Sequence, residues 1–499
     1  MFRACVAIIT SGILIVGYAQ APKPDAASVL KAASAAMGAD NLKTLEFGGN
    51  GWDGCLGQAW NVADGVWARW ELRDYNRVID YEAGNSRHTA QQRAGMDPQK
   101  VGGCGAVPGA MPRPQQSNIN PNSPWLQQLQ IHLTPTGFIR LAAANNPAAE
   151  VQTVGGRRLT VVTFPITRGN DTYRMRGYFN ADNLLEKVET WIDDPIFGDM
   201  LFEAEFSNYG TFDGLRFPAR IYHKQGGLGI LELNINKVVP NTTATTAPPQ
   251  AAGGRGGAGG AGGAGGGGGR GGAGGAGAAA APPGPVEMAP GVFVLDGGYQ
   301  AVAVSFNDYS VVIDGMQNEA RTRAVIDQTK KAIPGKPIRY VVVTHTHFDH
   351  VSGLRDFVAE GATIITHESS AKFFERALSA PRTLNKAEAK PAGTPKIQAV
   401  GDRFVLQDGK QVVELHRIKG HVHADDMLVA YIPSAKTIVE SDLVQPWISP
   451  QFTNVGYLSH LATELDRLKL NYETFVSIHR PTPPPTVSRA DFLKAAGRN

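Results

Sequence analysis

A glycine-rich run divides the 499-residue chain and limits its possible folds more than any other feature. Eighteen of the 25 residues from 253 to 277 are glycine. A run of this composition buries too little apolar surface to offset the entropy lost on ordering, so we expect it to be disordered. We interpret residues 241–285 as a disordered Gly/Ala-rich linker, which leaves two folded segments of about 210–220 residues each, a usual size for domains.

The first 21 residues have the three parts of a secretory signal. Arg3 gives a positive start, an apolar run of about a dozen residues follows, and Ala-Gln-Ala ends at residue 21. A transmembrane anchor is the alternative, but it would need about 20 apolar residues. We therefore expect residues 1–21 to be removed and the protein to be exported to the periplasm or the medium. In an oxidising compartment Cys55 and Cys104 could form a disulfide, and two buried free thiols are the alternative.

Residues 22–240 are predicted to form a mainly antiparallel β domain of unknown role. "VLKAASAAMG" is typical of one amphipathic helix that Gly38 ends, and "RGYFNADNLLEKVETWID" of two strands joined by a turn. Apolar and polar residues alternate in two further stretches, which predicts a sheet with one solvated face; the apolar positions are Phe202, Ala204 and Phe206, and Leu231, Leu233 and Ile235. With "GTFDGLRFPARI" near its end, this segment resembles the open half-barrels of periplasmic lipoprotein-carrier domains. Its isolated histidines are interpreted as surface or packed residues: His88, His132 and His223.

Residues 286–499 have a different pattern. Short β-branched runs such as "YSVVIDG", "IRYVVVTH" and "KTIVESD" alternate with helical stretches such as "NEARTRAVIDQTKKAI" and "HLATELDRLKL". This alternation predicts a layered α/β domain, so the chain as a whole combines an α+β and an α/β segment.

Nine of the twelve histidines lie between His345 and His479, and three of them fall within "THTHFDH". His345 and His347 are two residues apart at the end of a strand, so both rings can face the same side. Asp349 and His350 follow in the next turn. Imidazole and carboxylate are ligands of Zn²⁺, and four such groups within six residues exceed what one tetrahedral ion takes from a single loop. The spacing therefore predicts two metal ions.

"THTHFDH" fits the HxHxDH signature of the metallo-β-lactamase superfamily, and the resemblance covers the whole segment after the linker. It implies an αβ/βα sandwich with the site at one edge. It also implies that His345 and His347 bind the first metal, and that Asp349 and His350 bind the second.

The resemblance implies three more ligands downstream. For the third histidine of the first metal we favour His423, because an apolar strand follows it and Asp442 lies 19 residues further on. His421, which follows a glycine, is the alternative. Asp442 after "TIVES" would bridge both metals, and His479 after the final strand would complete the second site, although Arg480 stands where the family usually has glycine.

Two bound cations lower the pKa of a water between them, and Asp349 could orient it and pass a proton to the leaving group. We therefore expect an exported hydrolase of a small ester, thioester, lactone, lactam or sulfate ester. Its cofactors would be two divalent metal ions; zinc is the favoured metal, and iron and manganese are the alternatives. A sulfur dioxygenase with one iron and a metal-stabilised ligand-binding protein are the competing hypotheses.

The net charge of +3 indicates no particular partner, and two arginines in the glycine-rich run do not indicate nucleic-acid binding.

Overall fold

The computed structural model describes residues 23–93, 112–247, 284–385, 394–444, 455–479 and 486–498. The predicted signal, most of the predicted linker and Cys104 lie outside these residues. Cys55 is disulfide-bonded. No helix among the described residues is both long enough and apolar enough to cross a membrane.

The N-terminal domain is built on one large antiparallel sheet. Its strands, in chain order among the described residues, are β1 (Thr44–Cys55), β2 (Ala68–Asp80), β3 (Asn85–Arg93), β4 (Arg113–Ile119), β5 (Ala148–Val154), β6 (Arg157–Arg168), β7 (Asp171–Phe179), β8 (Leu185–Asp194), β9 (Gly198–Phe212), β10 (Leu215–Gln225) and β11 (Leu228–Pro240). They are arranged in the order β4-β3-β2-β1-β11-β10-β9-β8-β7-β6-β5. The sheet thus consists of two meanders, β1–β4 and β5–β11, joined where β1 pairs with β11, and the predicted antiparallel β domain is confirmed.

Three helices accompany this sheet in the described part of the domain: α1 (Ala26–Met37), α2 (Trp125–His132) and α3 (Pro135–Ala143). The sequence predicts only α1, which begins where the Asp25 side chain accepts the Ser28 N–H at 2.9 Å and ends at Gly38 with a left-handed φ of 67°. α3 has a usable start signal that the prediction missed, because Thr134 caps it and Pro135 stands in its first turn. α2 has no side-chain cap.

The predicted alternation is confirmed in β9 and is partly wrong in β11. Phe202, Ala204 and Phe206 are buried in β9 as expected. In β11 Leu233 and Ile235 are buried as predicted, whereas Leu231 is only half-buried and its neighbour Ile230 is buried instead. A β-bulge between β10 and β11 shifts the register at this point, and a shift of one residue moves a side chain to the other face of a sheet. The resemblance of this domain to lipoprotein carriers stays a prediction.

The C-terminal domain contains two sheets. The strands of the first, in the order β12-β13-β14-β15-β16-β17-β18, are β12 (Val286–Ala289), β13 (Val292–Leu295), β14 (Ala301–Ser305), β15 (Ser310–Ile313), β16 (Ile338–Val342), β17 (Thr363–His367) and β18 (Lys396–Val400). The second has the order β19-β20-β21-β22-β23-β24, with β19 (Arg403–Asp408), β20 (Gln411–Arg417), β21 (Leu428–Ile432), β22 (Thr437–Glu440), β23 (Thr474–Ser477) and β24 (Val487–Ser488). The helices described are α4 (Glu319–Ala332), α5 (Phe348–Val351), α6 (Leu354–Ala359), α7 (Glu368–Ser379), α8 (Val455–Leu468) and α9 (Arg489–Ala495).

The two sheets share a hydrophobic core. Val311 of β15 and Val342 of β16 belong to the same buried cluster as Val413 of β20 and Val439 of β22. Apolar residues of α4, α6 and α7 form a cluster with the other face of the first sheet. Residues of α8 and α9 do the same with the second sheet. The helices therefore cover the sides of the sheets that face away from the shared core, which leaves the strand ends available for a site.

The two domains are in extensive contact. One continuous hydrophobic cluster includes residues of both, and Phe348 packs edge-on against Trp67 and Phe197 of the N-terminal domain. Arg382, which is 5% exposed, forms ion pairs with Asp193 of the N-terminal domain and with Glu319 of the C-terminal domain. Because the Arg382 guanidinium is bound by a carboxylate of each domain, it holds the two domains together.

Candidate metal centre

The predicted ligands mostly follow the carboxyl ends of strands. β15 and β16 run parallel, and so do β22 and β23, so the residues that follow each pair meet at the same edge. His345 and His347 follow β16, and Asp349 and His350 lie in α5. Asp442 follows β22, His479 follows β23, and His423 lies in the loop between β20 and β21.

One group of four side chains can hold a cation, because one ligand atom of each lies within 4.8 Å of the others. Its members are His345, His347, His423 and Asp442. The Oδ2 atom of Asp442 lies 3.1 Å from His345 Nε2 and 2.9 Å from His423 Nε2. All four side chains are buried. This group brings together the residues that the sequence predicts for the first metal.

A second group shares Asp442 with the first. It consists of Asp349, His350, Asp442 and His479. The Nε2 atom of His479 lies 2.6 Å from Asp442 Oδ1, and the Nε2 atom of His350 lies 3.3 Å from Asp442 Oδ2. Asp349 Oδ2 lies 3.5 Å from both imidazole nitrogens. The two oxygens of Asp442 therefore face two adjacent groups, as the predicted bridging residue requires.

The atoms in both groups suit a metal ion. The Nδ1 atom of His347 is buried and has no hydrogen-bond partner among the described residues, although it lies 4.0 Å from Asp442 Oδ2. His350 Nε2 and His479 Nε2 are only 2.8 Å apart. Imidazole nitrogens and carboxylate oxygens that converge in this way are the ligand atoms that Zn²⁺ binds once the nitrogens have lost their protons.

Hydrogen bonds outside the groups fix which ring nitrogen faces inward. Asp314, fully buried after β15, accepts a hydrogen bond from His350 Nδ1 at 3.0 Å, so Nε2 faces the second group. The carbonyl oxygen of Ala59 lies 3.0 Å from His347 Nε2 and accepts its N–H, so Nδ1 faces the first group. Asp314 also accepts a hydrogen bond from Ser441 at 2.6 Å. Such partners orient metal-binding histidines and raise their basicity.

The turn that carries Asp442 has an unusual backbone. Asp442 has a φ of 63°, in the left-handed region that L residues rarely adopt. The buried carboxyl of Glu440 accepts the N–H groups of Leu443 and Val444 at 2.9 and 3.1 Å and so closes this turn. Burial raises the pKa of Glu440 to about 8. The turn aims the Asp442 carboxylate between the two groups.

The structure separates His423 from His421. His423 lies in the first group, whereas the described contacts of the His421 ring are with its own loop and with α8. The His421 Nδ1 atom accepts the His423 N–H at 3.2 Å, and its ring packs edge-on against Tyr457. The remaining histidines of the domain lie outside both groups, as the sequence predicts; they are His367, His416 and His460.

Without a bound cation, the histidines of the two ligand groups have different protonation states. Burial, together with repulsion from His350, lowers the pKa of His345 to about 4. The pKa of His479 is raised to about 9, because Asp442 and Asp349 outweigh the effect of burial. The pKa of His350 is also raised, since Asp314, Asp442 and Asp349 together outweigh burial. A cation that enters the second group therefore displaces protons, so its affinity should fall as the pH is lowered.

Several residues that shape the site were missed by the sequence prediction. Asp314 had a signal, because it ends the strand "SVVID" and a strand-end carboxylate beside a parallel ligand strand is a candidate partner. Tyr299, whose hydroxyl donates to Asp349 Oδ2 at 2.9 Å, had no signal in the sequence. Gln58 and Ala59 also had no such signal, because they lie about 290 positions from the residues they contact, Asp349 and His347.

The two sheets, their outer helices and the two ligand groups define an α/β domain whose clustered side chains could hold metal ions. Residues 296–479 match the family model of the metallo-beta-lactamase superfamily, and the C-terminal domain belongs to that superfamily. The predicted resemblance is thereby confirmed for this domain. The search of curated proteins found no match.

Solved structures of known proteins share low identity with the chain. A metallo-beta-lactamase from Pontibacter korlensis is 20% identical, with a TM-score of 0.34 over 43% of this chain and 96% of that one. A metallo-beta-lactamase from Cronobacter sakazakii is 19% identical, with a TM-score of 0.30 over 40% and 81%. A stereoselective inverting sec-alkylsulfatase from Pseudomonas sp. is 15% identical, with a TM-score of 0.32 over 43% and 41%.

Proposed function

We propose that the chain is a metal-dependent hydrolase that uses two divalent cations, zinc in the first instance. The observation that carries this proposal is the position of Asp442, whose two oxygens face two adjacent ligand groups. His345, His347 and His423 would hold one cation, and Asp349, His350 and His479 the other, with Asp442 between them. With three ligands of its own and the shared carboxylate, each cation would take up water or substrate by expanding beyond four ligands, as catalytic zinc can.

Bound cations would lower the pKa of a coordinated water and polarise an oxygen atom of the substrate. The chain supplies the geometry and the handling of protons. Asp349 Oδ2 lies 3.5 Å from His350 Nε2 and from His479 Nε2, at the edge of the second group, where a carboxylate can orient the water and pass its proton on. Burial and the nearby carboxylates, Asp349 foremost, raise the pKa of Tyr299, so its hydroxyl remains a donor to Asp349.

The proposed substrate is a small molecule with an ester, thioester, lactone, lactam or sulfate-ester bond. All of these present an oxygen that a cation can polarise and a centre that water can attack. Helices outside two sheets with a common core support the αβ/βα sandwich for this domain. Export to the periplasm or the medium is proposed from residues 1–21 of the sequence alone.

The proposed function is tested with the purified full chain on a panel of cephalosporin, lactone, thioester and sulfate-ester substrates. We expect turnover of at least one class, its loss after chelation, and its return when Zn²⁺, Mn²⁺ or Fe²⁺ is added back. The cations supply several kcal/mol of transition-state stabilisation, so chelation should slow turnover by about 1,000-fold. Oxygen consumption on a persulfide, without hydrolysis of any panel member, would show a dioxygenase instead.

A further inference from the structure

We propose that Gln58 and Ala59, within segment 56–61 of the N-terminal domain, are part of the active site and that Gln58 is a positioning residue for Asp349. The inference rests on the proposed function, because it concerns one of the proposed metal ligands. The segment follows β1 directly and begins after Cys55, which is disulfide-bonded. It reaches across the boundary between the domains to the ligand groups.

Two contacts of the segment end on proposed ligands. The Nε2 atom of Gln58 donates a hydrogen bond to Asp349 Oδ1 at 2.9 Å. The carbonyl oxygen of the next residue, Ala59, accepts from His347 Nε2 at 3.0 Å. One ligand of each metal group is thus held by the N-terminal domain.

The segment itself is fixed by contacts with two of the ligand-carrying loops, the one that contains His347 and the one that contains His423. The Phe348 N–H donates to Gly57 O at 3.0 Å, and the Asp425 N–H donates to Trp60 O at 2.7 Å. The Trp60 indole donates to the carbonyl oxygen of His421 at 2.9 Å. Gly57 has a φ of 84°, and a Cβ atom there would lie 2.2 Å from the Phe348 ring, so only glycine fits without rearrangement. The close approach is therefore built into the backbone of the segment.

The role of Gln58 follows from the two oxygens of Asp349. Oδ2 faces His350 and His479, whereas Oδ1 points toward Gln58. A donor on Oδ1 restrains rotation of the carboxylate and keeps Oδ2 directed at the second group. Partners of this kind typically contribute 10–100-fold to metal affinity or activity.

This arrangement gives the N-terminal domain a supporting role at the metal centre of the neighbouring domain. Within its described part, no group of three or more His, Cys, Asp or Glu side chains is placed to hold a metal. Its sheet instead presents segment 56–61 to the neighbouring domain. The N-terminal domain therefore orients one ligand of each metal group.

The test is a calorimetric titration of Zn²⁺ into the metal-free full chain and into Gln58→Met. Methionine has a similar length but lacks the amide donor. We expect the second Zn²⁺ to bind about 10–100-fold more weakly to this variant and the first to bind as in the wild type. Thermal unfolding of the metal-free proteins should be the same.

Asn61→Ser is the matched control. Asn61 donates to Asp425 Oδ2 at 3.1 Å across the same boundary, and Asp425 is outside both ligand groups. Serine keeps an oxygen that can accept the Ala63 N–H and loses the amide. Both Zn²⁺ affinities should stay at wild-type values. Wild-type binding in Gln58→Met, or equal losses in both variants, would overturn the role of Gln58, whereas a wild-type chain that binds no Zn²⁺ would overturn the proposed function as well.

Discussion

Asp442→Asn is expected to slow hydrolysis by at least about 1,000-fold and to release most of the bound metal. The Asp442 carboxylate is the one side chain that both ligand groups contain. An amide has the same size but no charge, so it cannot offset two adjacent cations. The loss amounts to several kcal/mol of transition-state stabilisation, which corresponds to three or more orders of magnitude in rate.

The choice of asparagine matters because Asp442 has a left-handed backbone, with a φ of 63°. Asparagine tolerates this conformation better than alanine does, so the variant should fold normally. Asp356→Asn is the control, since Asp356 is a buried aspartate of the same domain outside both groups. It should keep its metal and its turnover. Full activity in Asp442→Asn would show that this carboxylate does not bridge two cations.

His347→Ala and Asp349→Ala are expected to separate the two metal positions. His347 belongs only to the first group and Asp349 only to the second. Each variant should lose most of one cation and retain much of the other, while turnover falls by about 1,000-fold in both, because the chemistry needs both positions. Steady-state kinetics and metal content, measured on the same folded preparations, check this.

His421→Asn distinguishes the two candidate histidines of the same loop. Asparagine can still accept the His423 N–H, as the His421 Nδ1 atom does at 3.2 Å. We expect this variant to keep both cations, because His423 rather than His421 lies within the first group. Loss of one cation from His421→Asn, with retention in His423→Ala, would reverse the assignment.

Retained turnover in His347→Ala or Asp349→Ala would contradict the two-cation account itself.

Much of the fold could be predicted from local pattern. The buried parallel strands β15, β16 and β17 read as continuous β-branched runs, and their identification needed no tertiary information. α2 was missed because it lacks a side-chain cap. The half-buried position of Leu231 in β11 could not be predicted, because the bulge beside Ile230 depends on the pairing of β11 with β10. Packing between strands decides such details.

Some residues of the candidate site could likewise be predicted from the sequence, and others could not. Most of its ligands could be predicted, because "THTHFDH" places four ligand-type side chains within six residues and because Asp442 and His479 follow strand ends. The choice between His421 and His423 depended on loop geometry, which spacing alone left open. Gln58 and Ala59 could not be predicted, since nothing in the sequence says which N-terminal loop docks against the histidines. Contacts between domains are a property of the folded chain.

The most direct measurement of the central claim is the metal content of the purified full chain, determined by elemental analysis together with the protein concentration. A two-cation hydrolytic site predicts two divalent ions per chain in the wild type and far less than one in Asp442→Asn. One iron per chain, unchanged by that substitution, would contradict it.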